Sequence, residues 1–179
     1  MSLLEMLLVV CPLVFFASFV DAIAGGGGLI SLPAYLLTGM PAHMAIGSNK
    51  LSAAVGTAIA TGRFLKEGSL HLQIALRTAV FAFVGSCIGA QLALHISDYY
   101  LRVVMMVLLP CVAVFVLFNL QRLDKESRFE QFSRSRIFLG MLATGLLIGM
   151  YDGFFGPGTG TFLILAFTTV LGFDLKRAC

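Results

Sequence analysis

The sequence predicts an all-α, polytopic transmembrane bundle of about seven segments. Three observations carry this: too few charges for a soluble domain, charge-free runs of membrane length, and a glycine-rich interruption that occurs twice. The 179-residue chain is 59% hydrophobic and 12% charged, with a mean hydropathy of +0.96. Soluble domains carry roughly 25% charged residues, about twice this share. A polar shell cannot be assembled from so few charges, and lipid as solvent removes the need for one. The net charge of +3, the absence of Trp and the lack of basic–aromatic alternation exclude a nucleic-acid partner. Cys11, Cys87 and Cys111 stand inside apolar runs with no CxxC spacing. They read as small buried hydrophobes, with no metal site and no cofactor implied.

The elements follow in order. Residues 6–20 are apolar and stop at Asp21; with Glu5 and no Lys or Arg ahead of them, they read as a retained helix rather than a cleaved leader. Residues 22–49 hold no Asp, Glu, Lys or Arg but are broken by Gly25, Gly26, Gly27, Gly28, Pro33, Gly39 and Pro41. Residues 78–97 and 103–121 are each near the ~20 needed to cross a hydrocarbon core. Residues 137–151 and 153–173 are split by Asp152 and by Gly156-Pro157-Gly158. The segments are therefore expected near 4–23, 27–38, 42–63, 71–95, 98–120, 136–152 and 159–172, the second and last being short. The expected organisation is a first transmembrane repeat over 1–120, a basic loop over 121–136, and the start of a second repeat over 137–179.

Lys and Arg orient the chain. Loop 121–136 holds Arg122, Lys125, Arg128, Arg134 and Arg136, and loop 62–70 holds Arg63 and Lys66. Both are expected on the cytoplasmic side. Two crossings separate them, which places the turn at His95–Asp98 outside, together with the turn near Gly39–Pro41; residues 173–177 return inside.

Residues 20–45 and 151–178 align on each other. Asp21 falls on Asp152, Gly25 on Gly156 and Gly27 on Gly158; Gly39 falls on Gly172 and Ala45 on Ala178 after a two-residue insertion. Five segments, an odd number, separate the copies, so the second is expected to be inverted. Inverted repeats with interrupted helices mark secondary transporters, which bind solute at the repeat interface. The first copy continues through Ile46-Gly47-Ser48-Asn49-Lys50-Leu51, whereas the sequence stops at Cys179, so the second copy reads as incomplete.

A break inside a membrane helix frees backbone N–H and C=O groups, each costing several kcal/mol when unpaired in hydrocarbon. At a helix start, N–H groups and the dipole favour an anion. Gly25–Gly28 open one such helix. Gly158, Thr159 and Gly160 open another, with the hydroxyls of Thr159 and Thr161 as added donors. Asp21 and Asp152, ionisable groups within spans, are candidates for coupling or gating, or are simple caps. Lys50 is either an anion contact or a salt-bridge partner of Asp21 or Asp152. Gly85-x-x-x-Gly89 and Gly145-x-x-x-Gly149-x-x-x-Gly153 have the spacing of close helix packing. His43 sits at a turn beside Pro41 and reads as interfacial. No P-loop or dinucleotide fingerprint is present, and no nucleophile–base constellation argues for an enzyme.

The stretches FVDAIAGGGGLISLPAYLLTGMPAHMAIGSNKLSA (19–53) and GMYDGFFGPGTGTFLILAF (149–167) closely resemble the two signatures of the sulfite exporter TauE/SafE family of bacterial membrane permeases. The resemblance implies a multi-pass protein of the bacterial inner membrane. It would move a small anion, such as sulfite, an organosulfonate or a related organic anion, by alternating access. It implies contact with solute at Gly25, Gly26, Gly27, Gly28, Asn49, Lys50, Gly156, Pro157, Gly158 and Thr159, and coupling to protons or sodium through Asp21 and Asp152. Homo-oligomer formation stays open. The alternative is an inactive or partner-dependent fragment of such a permease.

Overall fold

The computed structural model describes residues 3–67, 72–119 and 134–170; the basic loop after residue 120 and residues 171–179 lie outside them. Among the described residues there are seven helices and no strand: α1 (Leu3–Ala24), α2 (Gly28–Leu37), α3 (Ala42–Glu67), α4 (Leu72–Leu94), α5 (Asp98–Asn119), α6 (Arg134–Phe154) and α7 (Thr159–Thr169). The expected segments match these within a few residues. Helices α1, α4, α5 and α6 are long and apolar enough to cross a membrane, while α2 and α7 are short and apolar. Large apolar side chains such as Phe15, Phe16, Leu76, Phe83, Leu117 and Phe118 lie on the outside. That is the arrangement lipid favours, since hydrocarbon does not penalise exposed apolar surface. Cys11, Cys87 and Cys111 are free and exposed rather than buried; in a bilayer a small apolar side chain gains little by turning inward.

Two hairpins organise the fold. Helix α2 folds back along α1, and its first turn meets α1 where Gly27 lies against Ala17 and Asp21. Helix α7 folds back along α6, with Met141 and Ile164 buried in one cluster to which Ile137 and Phe167 add. The hairpins open toward opposite ends. Helix α6 runs parallel to α4, because Gly145 packs on Thr78, Gly149 on Ala82 and Gly153 on Ser86. Its tip therefore points toward the C-terminal end of α4. At that same end the α2–α3 turn is stapled to α4 and α5: His43 reaches both Ala93 and Asp98, and Arg102 donates to the Met40 carbonyl. So the first hairpin opens toward the end that the second points to. The two turns expected on one side, near 39–41 and 95–98, are together. The second copy is inverted relative to the first.

Packing is tightest between α4 and α6. A Cβ at Gly85 would run into the Leu146 carbonyl, at Gly89 into the Met150 carbonyl, and at Gly149 and Gly153 into the Ala82 and Ser86 carbonyls. Both small-residue series therefore do what their spacing predicts, letting backbones approach where no side chain fits. The main core joins Leu32, Ala42, Ala45, Ile46, Leu101, Met105 and Phe155. It seats the tip of the second hairpin against α2, α3 and α5.

Candidate anion site where two hairpin tips meet

Each tip is made by glycine. Gly25 and Gly156, which the repeat aligns, both have left-handed backbone, at φ +69° and +95°. That conformation costs an L side chain roughly 1–2 kcal/mol and costs glycine nothing. The tips run antiparallel against each other. A Cβ on Gly25 would sit 2.7 Å from Gly160 Cα, and one on Gly28 would sit 3.1 Å from Pro157 Cα. Gly158 packs on Val112 and Val116, and Phe155 on Leu101 and Met105. The contact therefore lies alongside the middle of α5, well inside the span.

The expected residues come together here. Asp21 accepts the Gly27 N–H at 2.8 Å, so its carboxylate caps the opening turn of α2, as the capping alternative anticipated. A side chain at Gly27 would collide with Asp21. Asp152 pairs with Lys50, Nζ to Oδ1 at 2.6 Å, with both side chains about one-third exposed at 30% and 34%. Of the two acidic partners considered for Lys50, the structure selects Asp152, on the opposite repeat. The Lys50 ammonium lies against Gly156, where a Cβ would strike it. Asn49 faces Gly28, its Nδ2 lying 3.5 Å from where a Cβ there would be.

Helices α2 and α7 both begin at this contact, so two N-termini and one ammonium converge. Their dipole ends favour negative charge. The first N–H groups of a helix have no partner within that helix, and in α2 and α7 these include the N–H groups of Gly28 and Gly160, both at this contact. The Thr159 hydroxyl is not available as expected. It donates to the Gly156 carbonyl at 2.5 Å, and the Thr159 N–H bonds the same oxygen, because a left-handed turn leaves that carbonyl facing its own helix start. Thr161 is fully buried.

Two residues were not foreseen. Ser31, buried on α2, donates to Asn49 Oδ1 at 2.5 Å and lies 3.1 Å from the Gly27 carbonyl. It thereby turns the Asn49 amide N–H₂ away from itself, toward Gly28 and the tip. Tyr151 donates to the Pro157 carbonyl at 2.6 Å and sets its ring edge-on to Phe155 and Phe162, tying the second break to α6. A tyrosine beside the break aspartate is the only signal the sequence offers for it. Tyr151→Phe keeps the ring and strands the Pro157 carbonyl. The expected loss is about 1–2 kcal/mol, read as a lower unfolding temperature in detergent.

Interrupted helices in two inverted hairpins, meeting around paired charges alongside helices of membrane-spanning length, describe a multi-pass membrane protein. The chain belongs to the sulfite exporter TauE/SafE family, whose family description matches residues 10–179. It is 42% identical over 164 residues to a probable membrane transporter protein of Haemophilus influenzae, covering 92% of this chain and 63% of that protein. It is 38% identical over 164 residues to probable membrane transporter protein ORF9 of a Sinorhizobium species, covering 92% and 61%. To probable membrane transporter protein YfcA of Escherichia coli K12 it is 37% identical over 165 residues, covering 90% and 59%. The chain thus spans about three-fifths of the length of these relatives. No solved structure matches it.

Proposed function

We propose that the chain forms the solute-binding part of a bacterial inner-membrane permease for small anions, with sulfite, organosulfonates and related organic anions as the substrate class. The observation that carries this reading is the contact of the two glycine tips beside Lys50. Two helix N-termini and an ammonium are a binding site for negative charge. The inverted hairpins offer two ways to open it, one toward each face, which is the geometry alternating access requires. Gly25 to Gly28, Asn49 and Lys50 hold the anion from one repeat, and the turn from Gly156 through Pro157 and Gly158 to Thr159, with the Gly160 N–H, from the other. Asp152 holds Lys50 when no anion is bound and releases it to one. Asp21 and Asp152 couple transport to protons or sodium.

Uptake of labelled sulfite into proteoliposomes tests the assignment, with Lys50→Ala and Gly27→Leu as the variants. Losing one charge-assisted contact is worth about 1.5–3 kcal/mol, or roughly 10- to 100-fold. Both variants are expected to fall by at least tenfold at matched protein levels. Unchanged uptake in both sinks the site.

One observation favours a second reading, a fragment that works only with a partner. Residues 51–66 of α3 are exposed along their whole length, although Ala53, Ala54, Gly56, Thr57, Ala60 and Thr61 give this stretch the composition of a packed helix rather than a lipid-facing one. A native gel of the purified chain separates the two. A self-sufficient permease runs as a defined species, and a partner-dependent one runs as a smear that sharpens when the partner is supplied.

A further inference from the structure

We propose that Ser31 is a positioning residue for the solute, one that holds the Asn49 amide with its N–H₂ toward the two tips. This rests on the reading of the tips as an anion site. Ser31 is buried on α2, and its hydroxyl stands between two acceptors, the Gly27 carbonyl at 3.1 Å and Asn49 Oδ1 at 2.5 Å. A hydroxyl has one proton to give. The Gly27 carbonyl does not need it. That oxygen already takes the N–H groups of Ile30 and Ser31, each at 3.0 Å, and a carbonyl has two lone pairs. The proton therefore goes to Asn49.

That bond sets the polarity of the amide. An Asn side chain carries an acceptor on one arm and a donor on the other, and the two arms have nearly the same shape. With Oδ1 held by Ser31, Nδ2 is the atom that faces Gly28, 3.5 Å from where a Cβ there would be. The same Cβ position is 3.1 Å from Pro157 Cα on the other tip, so the amide stands beside the seam between the repeats. Turned the other way, it would set an oxygen against the oxygens of an anion. Ser31 thus makes this corner of the contact a donor. A donor corner fits atoms that accept hydrogen bonds and offer none, such as the oxygens of sulfite or a sulfonate, and disfavours an ammonium or a hydroxyl. Ser18 on α1 shows the ordinary use of a serine in a helix: its hydroxyl bonds the Val14 carbonyl four residues back at 2.9 Å.

Sulfite itself is the probe. The rise in unfolding temperature with sulfite concentration, measured on the purified chain in detergent, gives an apparent dissociation constant for each variant. Ser31→Ala frees the amide to turn and is expected to weaken binding about three- to tenfold. Asn49→Ala removes the donor and is expected to cost about tenfold or more. The double variant is expected to bind no worse than Asn49→Ala, because Ser31 then has no amide to orient. Ser31→Thr, which keeps the hydroxyl, and Ser18→Ala are expected to bind as the parent does. Parental affinity in Ser31→Ala, beside a weakened Asn49→Ala, overturns the role of Ser31 and leaves the anion site standing. So does a double variant whose loss combines both single losses in full, since a residue that only supports the fold acts whether or not the amide is present. Asn49→Ala that binds like the parent removes this inference alone. A parent that sulfite does not stabilise removes the site and the inference together.

Discussion

Gly153→Leu is expected to abolish accumulation of folded protein in the membrane. The Cβ alone would run into the Ser86 carbonyl and come within 2.7 Å of Ser86 Cα. The obstacle is backbone on a neighbouring helix, not the end of a side chain that can swing away. Overpacking a yielding core costs about 1–3 kcal/mol. Here α4 and α6 have to separate along a seam that repeats the same conflict at Gly85, Gly89 and Gly149, so the cost exceeds that range. Against a total stability of roughly 5–15 kcal/mol, that is enough to lose the fold. The seam also aims α6 at its tip, so any protein that survives would present Asp152 out of place. Gly56→Leu is the matching control, because a Cβ there meets nothing within 4 Å; it should accumulate as the parent does. Equal levels of the two variants, followed by fluorescence-detected size exclusion, would refute the packing role of this seam.

How far the molecule can be read from its residues depends on whether the governing interaction is local. The helix limits were legible because charges and glycines end apolar runs: the break at Gly25–Gly28, the turn around Gly39 and Pro41, and the second break at Gly156–Gly158 all stand where the sequence places them. The α4–α6 seam was legible from four-residue glycine spacing. The pairing of Lys50 was not. Asp21 and Asp152 occupy equivalent positions in the two copies, and only the way the tips cross puts Asp152 within 2.6 Å and leaves Asp21 on the Gly27 N–H. The Ser31–Asn49 bond joins two helices across 18 residues of chain, and no local pattern announces it. The partner of the Thr159 hydroxyl was missed for the opposite reason. A bond only three residues back, to Gly156, captures the donor that a solute was expected to use. The cysteines were misread because burial rules learned in water reverse when the solvent is lipid.

Lys50→Met and Asp152→Leu are each expected to be strongly destabilising, and the two together less so than either one. Each single change leaves one formal charge at the tip contact, in surroundings of apolar side chains and glycine backbone. Breaking a buried pair costs about 3–5 kcal/mol, whereas replacing the whole pair by apolar groups is often neutral. With roughly a third of each side chain exposed, screening brings the single cost toward the lower end. An unfolding series of the parent, both singles and the double in one detergent measures the coupling. Additive losses would mean that the pair contributes nothing beyond its two side chains. The double variant then separates stability from transport. It removes the ammonium without leaving Asp152 unpaired, so its fold persists while the proposed anion contact is gone. Folded double variant that takes up no sulfite, beside parent that does, assigns Lys50 to the solute. Folded double variant that transports at the parental rate leaves Lys50 and Asp152 as a brace between the repeats, and moves the whole of anion binding onto the backbone N–H groups of the two helix starts.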